Sequence, residues 1–235
     1  MIGTPHQSDD PLPVRRIDAE QFQQLVEGAT PERVHRFDLV AARLPDGRIA
    51  KVFRTYPPWS SRWWWPASDR FERGVRELAR RDVATVGLLE RFRLVRPRRD
   101  IITYTPIEGA IMREALDRDG ESDMLWHRFA TFLAELHDKG VYFRGLHFGN
   151  VIVMPDDRLG LIDVADSRFF RRSLRTSLRI RNFRHFAMHP LDAPRVGRYG
   201  LERILESYLA SSALDGRGRR AVQDRVAGMN RGTAR

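Results

Sequence analysis

The residues best suited to chemistry lie close together. Gly140-Val-Tyr-Phe-Arg-Gly-Leu-His-Phe-Gly-Asn150 runs into the apolar Val151-Ile-Val153. After the Pro155-Asp156-Asp157-Arg158 turn come Leu159–Ile162 and then Asp163. An amide just before one strand and a carboxylate just after its hairpin partner meet at one edge, where they offer the hard oxygen donors that a divalent cation takes. Upstream, Lys51 is one of only two lysines among 41 basic residues, and the apolar pattern around it places it in a strand. Each residue alone has an ordinary reading: Asp163 as a turn residue, Asn150 as a loop amide, Lys51 as a solvated cation. Their order and spacing are what point to a site.

The elements that must position them follow from periodicity and turn chemistry. Val34–Leu44 and Ile49–Phe53, joined by Pro45-Asp46-Gly47, read as a β-hairpin carrying Lys51. Ile17–Val26 reads as a short helix, and Ser68–Arg81 as another with Ser68 as N-cap. Val86–Leu94 and Ile101–Tyr104 read as strands, and 105–109 as a connector. Ser122–His137 is the clearest helix, because Trp126, Phe129, Ala130, Leu133 and Leu136 make one apolar face; Gly140 suits the left-handed position past its end. Gly200–Ala213 is a final helix. Residues 1–16 read as a flexible lead-in and 215–235 as a frayed basic tail, leaving 17–108 and 109–214 as the two structured parts.

Composition sets outer limits. The 235 residues are 42% hydrophobic and 31% charged, which excludes a disordered or low-complexity chain, and the absence of cysteine excludes a disulfide scaffold and any thiolate metal site. No apolar run of about 18 residues is present, and the expectation is a soluble, cytoplasmic protein. The formal charge of +10 favours an anionic partner. No zinc-finger spacing, RNP motif or recognition helix supports nucleic acid in that role. Arg168, Arg171, Arg172, Arg175, Arg179, Arg181 and Arg184, interleaved with Phe169, Phe170, Leu174, Leu178, Phe183 and Phe186, form a basic amphipathic stretch. It suits an anionic membrane face or a phosphorylated sugar, or else a solvated helix face packed by its apolar side. Trp59 and Trp63–Trp65 suit either a bilayer interface or internal packing.

The stretch from Gly140 to Asp163 resembles the catalytic and metal-binding loops of the protein-kinase-like fold. The relevant branch contains bacterial lipopolysaccharide-core (Kdo/heptose) kinases, aminoglycoside phosphotransferases and RIO-type kinases, whose loop reads roughly H-x-D-L-H-x-x-N, then a strand and I-D. Most similar are the small bacterial toluene-tolerance or InaA-type lipopolysaccharide kinases, with matches from Lys51 to Arg184. The resemblance implies an α+β, two-lobed fold with a small β-rich N-lobe and a mainly helical C-lobe. It implies ATP and Mg²⁺ as cofactors, Lys51 on the phosphates, and Glu72, or else Glu77, holding that lysine. Asn150 and Asp163 would bind metal, and Thr103, Tyr104, Thr105, Ile107 and Glu108 would form the adenine-binding hinge. The acceptor would be an anionic glycolipid or sugar phosphate held by Arg168, Arg171, Arg172 and Arg175, at the cytoplasmic face of the inner membrane.

Two departures stand out. Where the pattern places the catalytic aspartate, this chain has Gly145, which can neither accept a proton nor orient a hydroxyl; His147 and Asp166 are the candidate substitutes. No Gly-x-Gly-x-x-Gly precedes Lys51. The loss at Gly145 also fits a pseudokinase, a chain of the same fold that binds nucleotide or a partner without transfer.

Overall fold

A computed structural model describes residues 10–35, 38–56, 59, 65–118 and 122–230, so Trp63 and Trp64 lie outside the described residues. The chain divides into two compact units. One comprises residues up to Ala79 together with Thr85–Ile107; the other comprises Arg80–Ala84 and everything from Glu108. The changeover between Ile107 and Glu108 falls one residue before the expected boundary.

The first unit is a sheet with a helix on each side. Its strands are β1 (Val14–Ile17), β2 (Thr30–His35), β3 (Asp38–Arg43), β4 (Ile49–Arg54), β6 (Gly87–Leu94) and β7 (Arg99–Thr105), with the two-residue β5 (Ala84–Thr85) at the unit boundary. The six longer strands form one sheet in the order β1-β6-β7-β4-β3-β2, of which β5 is not a member. The lead-in is therefore not loose at its end, since Val14–Ile17 pairs in parallel with Arg91–Leu94. The single strand expected over 34–44 is instead the end of β2 and the whole of β3, antiparallel neighbours.

Alternation along β4 explains the two layers. Ala50 packs on one face with Ile17, Leu44, Phe92, Leu94 and Ile101, against Phe22 and Leu25 of α1 (Ala19–Leu25), whose Asp18 and Gln21 form a capping box. On the other face Phe53 meets Phe71 of α2 (Ala67–Ala79), and Phe71 meets Tyr104, each at 5.6 Å between ring centroids. Ser68 lies inside α2 and is no cap: its hydroxyl is buried and donates to Asp100 Oδ2 at 2.7 Å.

The second unit is mainly helical. It contains β8 (Ala110–Ile111), α3 (Met112–Arg118), α4 (Asp123–Asp138), β9 (Val141–Phe143), β10 (Val151–Val153), β11 (Leu159–Leu161), β12 (Ser167–Phe169), α5 (Thr176–Ala187), α6 (Ala193–Tyr199), α7 (Leu201–Ser211) and α8 (Gly216–Asn230). The expected apolar face of α4 is wholly buried and packs against α7. Gly140 has φ +74°, and a Cβ there would lie 2.3 Å from the Phe170 carbonyl oxygen, so both the helix end and the close passage of that backbone require glycine. The frayed tail is a correction: residues 216–230 are helical, because Val222 and Val226, spaced one helical turn apart, are fully buried and α8 packs on α5 and α7. A sheet-based first unit followed by a mainly helical second unit is the α+β, two-part organisation expected from the sequence.

Candidate active site

In the second unit, β10 and β11 pair with Val151 opposite Leu161, and the Ile162 amide donates to the Asn150 carbonyl at 3.0 Å. Asn150 and Asp163 are thereby brought to one end of the hairpin, as their spacing suggested. Asp163 takes a left-handed backbone, φ 56° and ψ 47°, a conformation aspartate tolerates better than most residues, and this turns the chain out of β11. Asn150 Nδ2 donates to the Gly145 carbonyl at 2.9 Å, which fixes the amide. Its Oδ1 accepts no hydrogen bond from the described residues and is left as a hard donor at the hairpin end that also carries Asp163. The pair therefore fits a divalent cation with oxygen ligands. Among the described residues no cluster of three histidine, aspartate or glutamate side chains forms a larger cage.

The loop is held from two sides. Phe148, on its far end, is buried among Trp126, Phe129 and Phe186, with ring centroids 5.1–6.0 Å away. The fully buried Asp192 accepts the Phe148 amide on Oδ2 at 2.7 Å and Arg113 Nε on Oδ1 at 2.8 Å. Sequence reasoning missed Asp192. The Asp-Ala-Pro signal there marks a helix start, and Asp192 is indeed the N-cap residue of α6, but its carboxylate makes no cap bond and serves the loop instead.

At the near end, a directional chain of hydrogen bonds leads to Phe143, just before Arg144-Gly145. Arg179 Nη1 donates to the Tyr208 oxygen at 2.7 Å, which leaves the Tyr208 hydroxyl to donate to His137 Nδ1 at 2.9 Å. His137 Nε2 then donates to Asn182 Oδ1 at 3.1 Å, and Asn182 Nδ2 to the Phe143 carbonyl at 2.8 Å. The chain needs a neutral imidazole. Burial and the Arg179 charge lower the His137 pKa to about 3. Arg179 is accordingly no surface cation; it is fully buried and also bonds Asp138, Ser173 and the Leu174 carbonyl.

His147 Nδ1 accepts the Gly149 amide at 3.2 Å, so the neutral ring carries its proton on Nε2. Burial, then the His189 ring stacked 4.6 Å away, then Arg113 hold its pKa below the usual range against the opposing pull of Asp192 and Asp163. In this state His147 offers an N–H donor, and the pull of Asp163 on its pKa shows that carboxylate to be within electrostatic range. Asp166 is exposed at the end of a short 3₁₀ turn, three residues past Asp163. Arg168, Arg171, Arg172 and Arg175 are exposed as expected.

In the first unit, Lys51 stands on β4 opposite Ile102, with Nζ 4.7 Å from the Phe71 ring centroid and 5.6 Å from that of Phe53. Glu72, the next residue after Phe71, is buried. Its Oε2 accepts from Arg91 at 2.9 Å, and its Oε1 accepts from Arg76 at 2.7 Å and from the Leu12 amide at 2.6 Å. Arg91, flanked also by Asp69 and Asp100, is a buried ionic centre that the sequence did not announce. Of the expected hinge residues, Thr103, Tyr104 and Thr105 lie on β7, where the buried Thr103 and Thr105 hydroxyls have no hydrogen-bond partner. Ile107 and Glu108 follow as the last and first residues of their units.

No family model and no curated protein matches the chain. Among solved structures it is similar to the medium-resolution structure of the bifunctional kinase-methyltransferase WbdD, at 13% identity over 80% of this chain and 46% of that one, with a TM-score of 0.48. It is also similar to the crystal structure of monomeric WbdD, at 15% identity over 68% and 41%, with a TM-score of 0.43. The chain spans less than half the length of either. Neither likeness is to the InaA-type group, for which the residues quoted above remain the only support. No helix among the described residues is long and apolar enough to cross a membrane.

Proposed function

We propose that this chain is an ATP- and Mg²⁺-dependent phosphotransferase of the lipopolysaccharide-core kinase type, acting on a sugar hydroxyl of a lipid-linked glycan at the cytoplasmic face of the inner membrane. The observation that carries this reading is that Asn150 and Asp163 flank one end of the β10–β11 hairpin, on a loop braced by Phe148 and Asp192. Magnesium held there would supply charge neutralisation on the triphosphate. Lys51 would bind the phosphates; the expected Glu72 partner does not hold it, since both Glu72 oxygens are taken by Arg91, Arg76 and the Leu12 amide. The hinge residues Thr103, Tyr104, Thr105, Ile107 and Glu108 would receive the adenine, and Arg168, Arg171, Arg172 and Arg175 the anionic acceptor. The acceptor oxygen bonds to the γ-phosphorus as the bond to the bridging oxygen of ADP breaks, and the hydroxyl proton passes to Asp166 or water. His147, through Nε2–H, would hydrogen-bond a phosphoryl oxygen.

A second reading, nucleotide binding without transfer, is favoured by Gly145. A Cβ there would lie 3.3 Å from Asn150 Nδ2 and from the Phe143 ring, so the loop is packed tightly around a residue with no carboxylate. Thermal-shift titration with ATP, with and without Mg²⁺, tests both readings, and absence of any stabilisation sinks both. Incubation with labelled ATP and a crude lipopolysaccharide fraction separates them. Transfer lost in Asp163→Ala supports the enzyme, whereas binding without transfer supports the pseudokinase.

A further inference from the structure

Several arginines of the second unit face a carboxylate: Arg128 with Asp157, Arg195 with Asp117, Arg203 with Asp123, Arg113 with Asp192. Arg144, Arg168, Arg181 and Arg184 are exposed and have no ion pair with a described residue. The fold nevertheless gathers them. Arg168 on β12 is registered directly across from Tyr142 on β9, and such cross-strand partners share one face of the ribbon. Tyr142 Oη lies 3.0 Å from His185 Nε2, which ties that face to α5. On α5, Arg181, Arg184 and His185 stand at positions i, i+3 and i+4, one side of the helix. Arg144 follows β9, two residues past Tyr142. The charges of Arg181, Arg144 and Arg184 all act on the half-buried His185, adding to burial in holding its imidazole below the usual range, and no carboxylate opposes them.

We propose that Arg144, Arg181 and Arg184, with Arg168 beside Tyr142 and His185 between strand and helix, form a binding site for a phosphoryl-bearing ligand. Like charges gathered around one imidazole without a counter-ion repel one another, and a phosphate dianion relieves that repulsion. Guanidinium forks match its oxygens in pairs, which an ammonium does not do. Because Arg144 precedes Gly145, a ligand seated here lies against the loop. Arg168 also belongs to the acceptor surface of the phosphotransfer reading, so the site extends that surface and rests in part on that reading, although neither nucleotide nor metal takes part in it.

The test is NMR of the His185 ring in the full chain, assigned by its loss in His185→Gln, with the exposed His127 as internal control. Titration with inorganic phosphate is expected to shift His185 saturably and raise the pH at which it titrates, and added salt weakens the binding. An Arg181→Ala/Arg184→Ala variant is expected to bind about tenfold more weakly or worse, with its thermal midpoint unchanged because both residues are exposed and without ion pairs. A flat titration, or a shift that survives in the variant, overturns the proposal. The source of the phosphate is read with a soluble hexose phosphate and with phosphatidylglycerol vesicles in phosphatidylcholine. Competition by the hexose phosphate assigns a soluble ligand; vesicle binding that the hexose phosphate leaves intact but the double variant loses assigns a headgroup.

Discussion

Arg91 in the first unit and Arg179 in the second are both buried guanidinium groups, yet they are satisfied in opposite ways. Arg91 sits among Asp69, Glu72 and Asp100, an excess of acid that Arg76 and Arg93 help to balance. Arg179 has one carboxylate, Asp138, and otherwise neutral acceptors, one of which starts the hydrogen-bond chain to Phe143. Asp100 shows the consequence in the first unit. Burial works against its charge, but hydrogen bonds from Arg93 and Ser68 and the charges of both arginines hold its carboxyl below the usual range. In the second unit the titratable members stay neutral: His137 is pushed down to about 3, and Tyr208 up to about 12, chiefly by burial. One centre fastens a helix to a sheet by charge; the other transmits orientation through dipoles to the loop that carries Gly145 and Asn150.

Removing each arginine gives the largest expected effect. Arg91→Met leaves Glu72 and Asp100 buried without their shared partner and should cost about 5 kcal/mol in urea unfolding; Arg179→Met, leaving one half-buried acid, should cost about 3. Equal costs would erase the distinction drawn here. Acid separates the centres next. Below pH 6.5 the unfolded chain gains a proton on His137 that the folded chain refuses until about pH 3. Stability of the second unit should therefore fall by about 1.4 kcal/mol per pH unit over that window. The contribution of Asp100 is present above its unfolded value of 3.8 and is lost only as pH falls below it. Hydrogen exchange at pH 4 to 5 should thus loosen α4 and α7 before β6 and β7, and His137→Gln should abolish the difference.

A smaller effect is expected from Asp192→Asn, which removes the charge facing Arg113 and weakens the bond to Phe148, at about 2 kcal/mol. It should also lower the His147 pKa further, since Asp192 now opposes the shift; an unchanged His147 titration would disconnect Asp192 from the loop. Smallest is Arg128→Ala, which breaks an exposed pair at 2.7 Å and should cost less than about 1 kcal/mol.

Legibility in the sequence followed the range of the interactions. The Lys51 strand, the apolar face of α4, Gly140 and the Asn150–Asp163 hairpin are local patterns of period two, period 3.6 or turn chemistry, and each was readable from its neighbours alone. Ser68 and Asp192 are residue types that favour helix starts and both lie near one, but distant partners, Asp100 and Phe148, took their side chains. α8 was missed because only Val222 and Val226 are apolar at the core side of a segment otherwise rich in Gly and Arg, and its stability comes from packing on α5.

By itself the sequence determined the hairpin that joins an amide to a carboxylate, the absence of an acid at Gly145 and the excess of arginine. Only the tertiary structure decided which arginines are structural and which face solvent. Arg179 and Arg184, both within the basic stretch, differ in nothing local, yet α5 turns one toward Tyr208 and Asp138 and leaves the other beside His185 without a carboxylate. Charge is a property of composition, whereas its neutralisation depends on which groups the fold brings within a few ångströms.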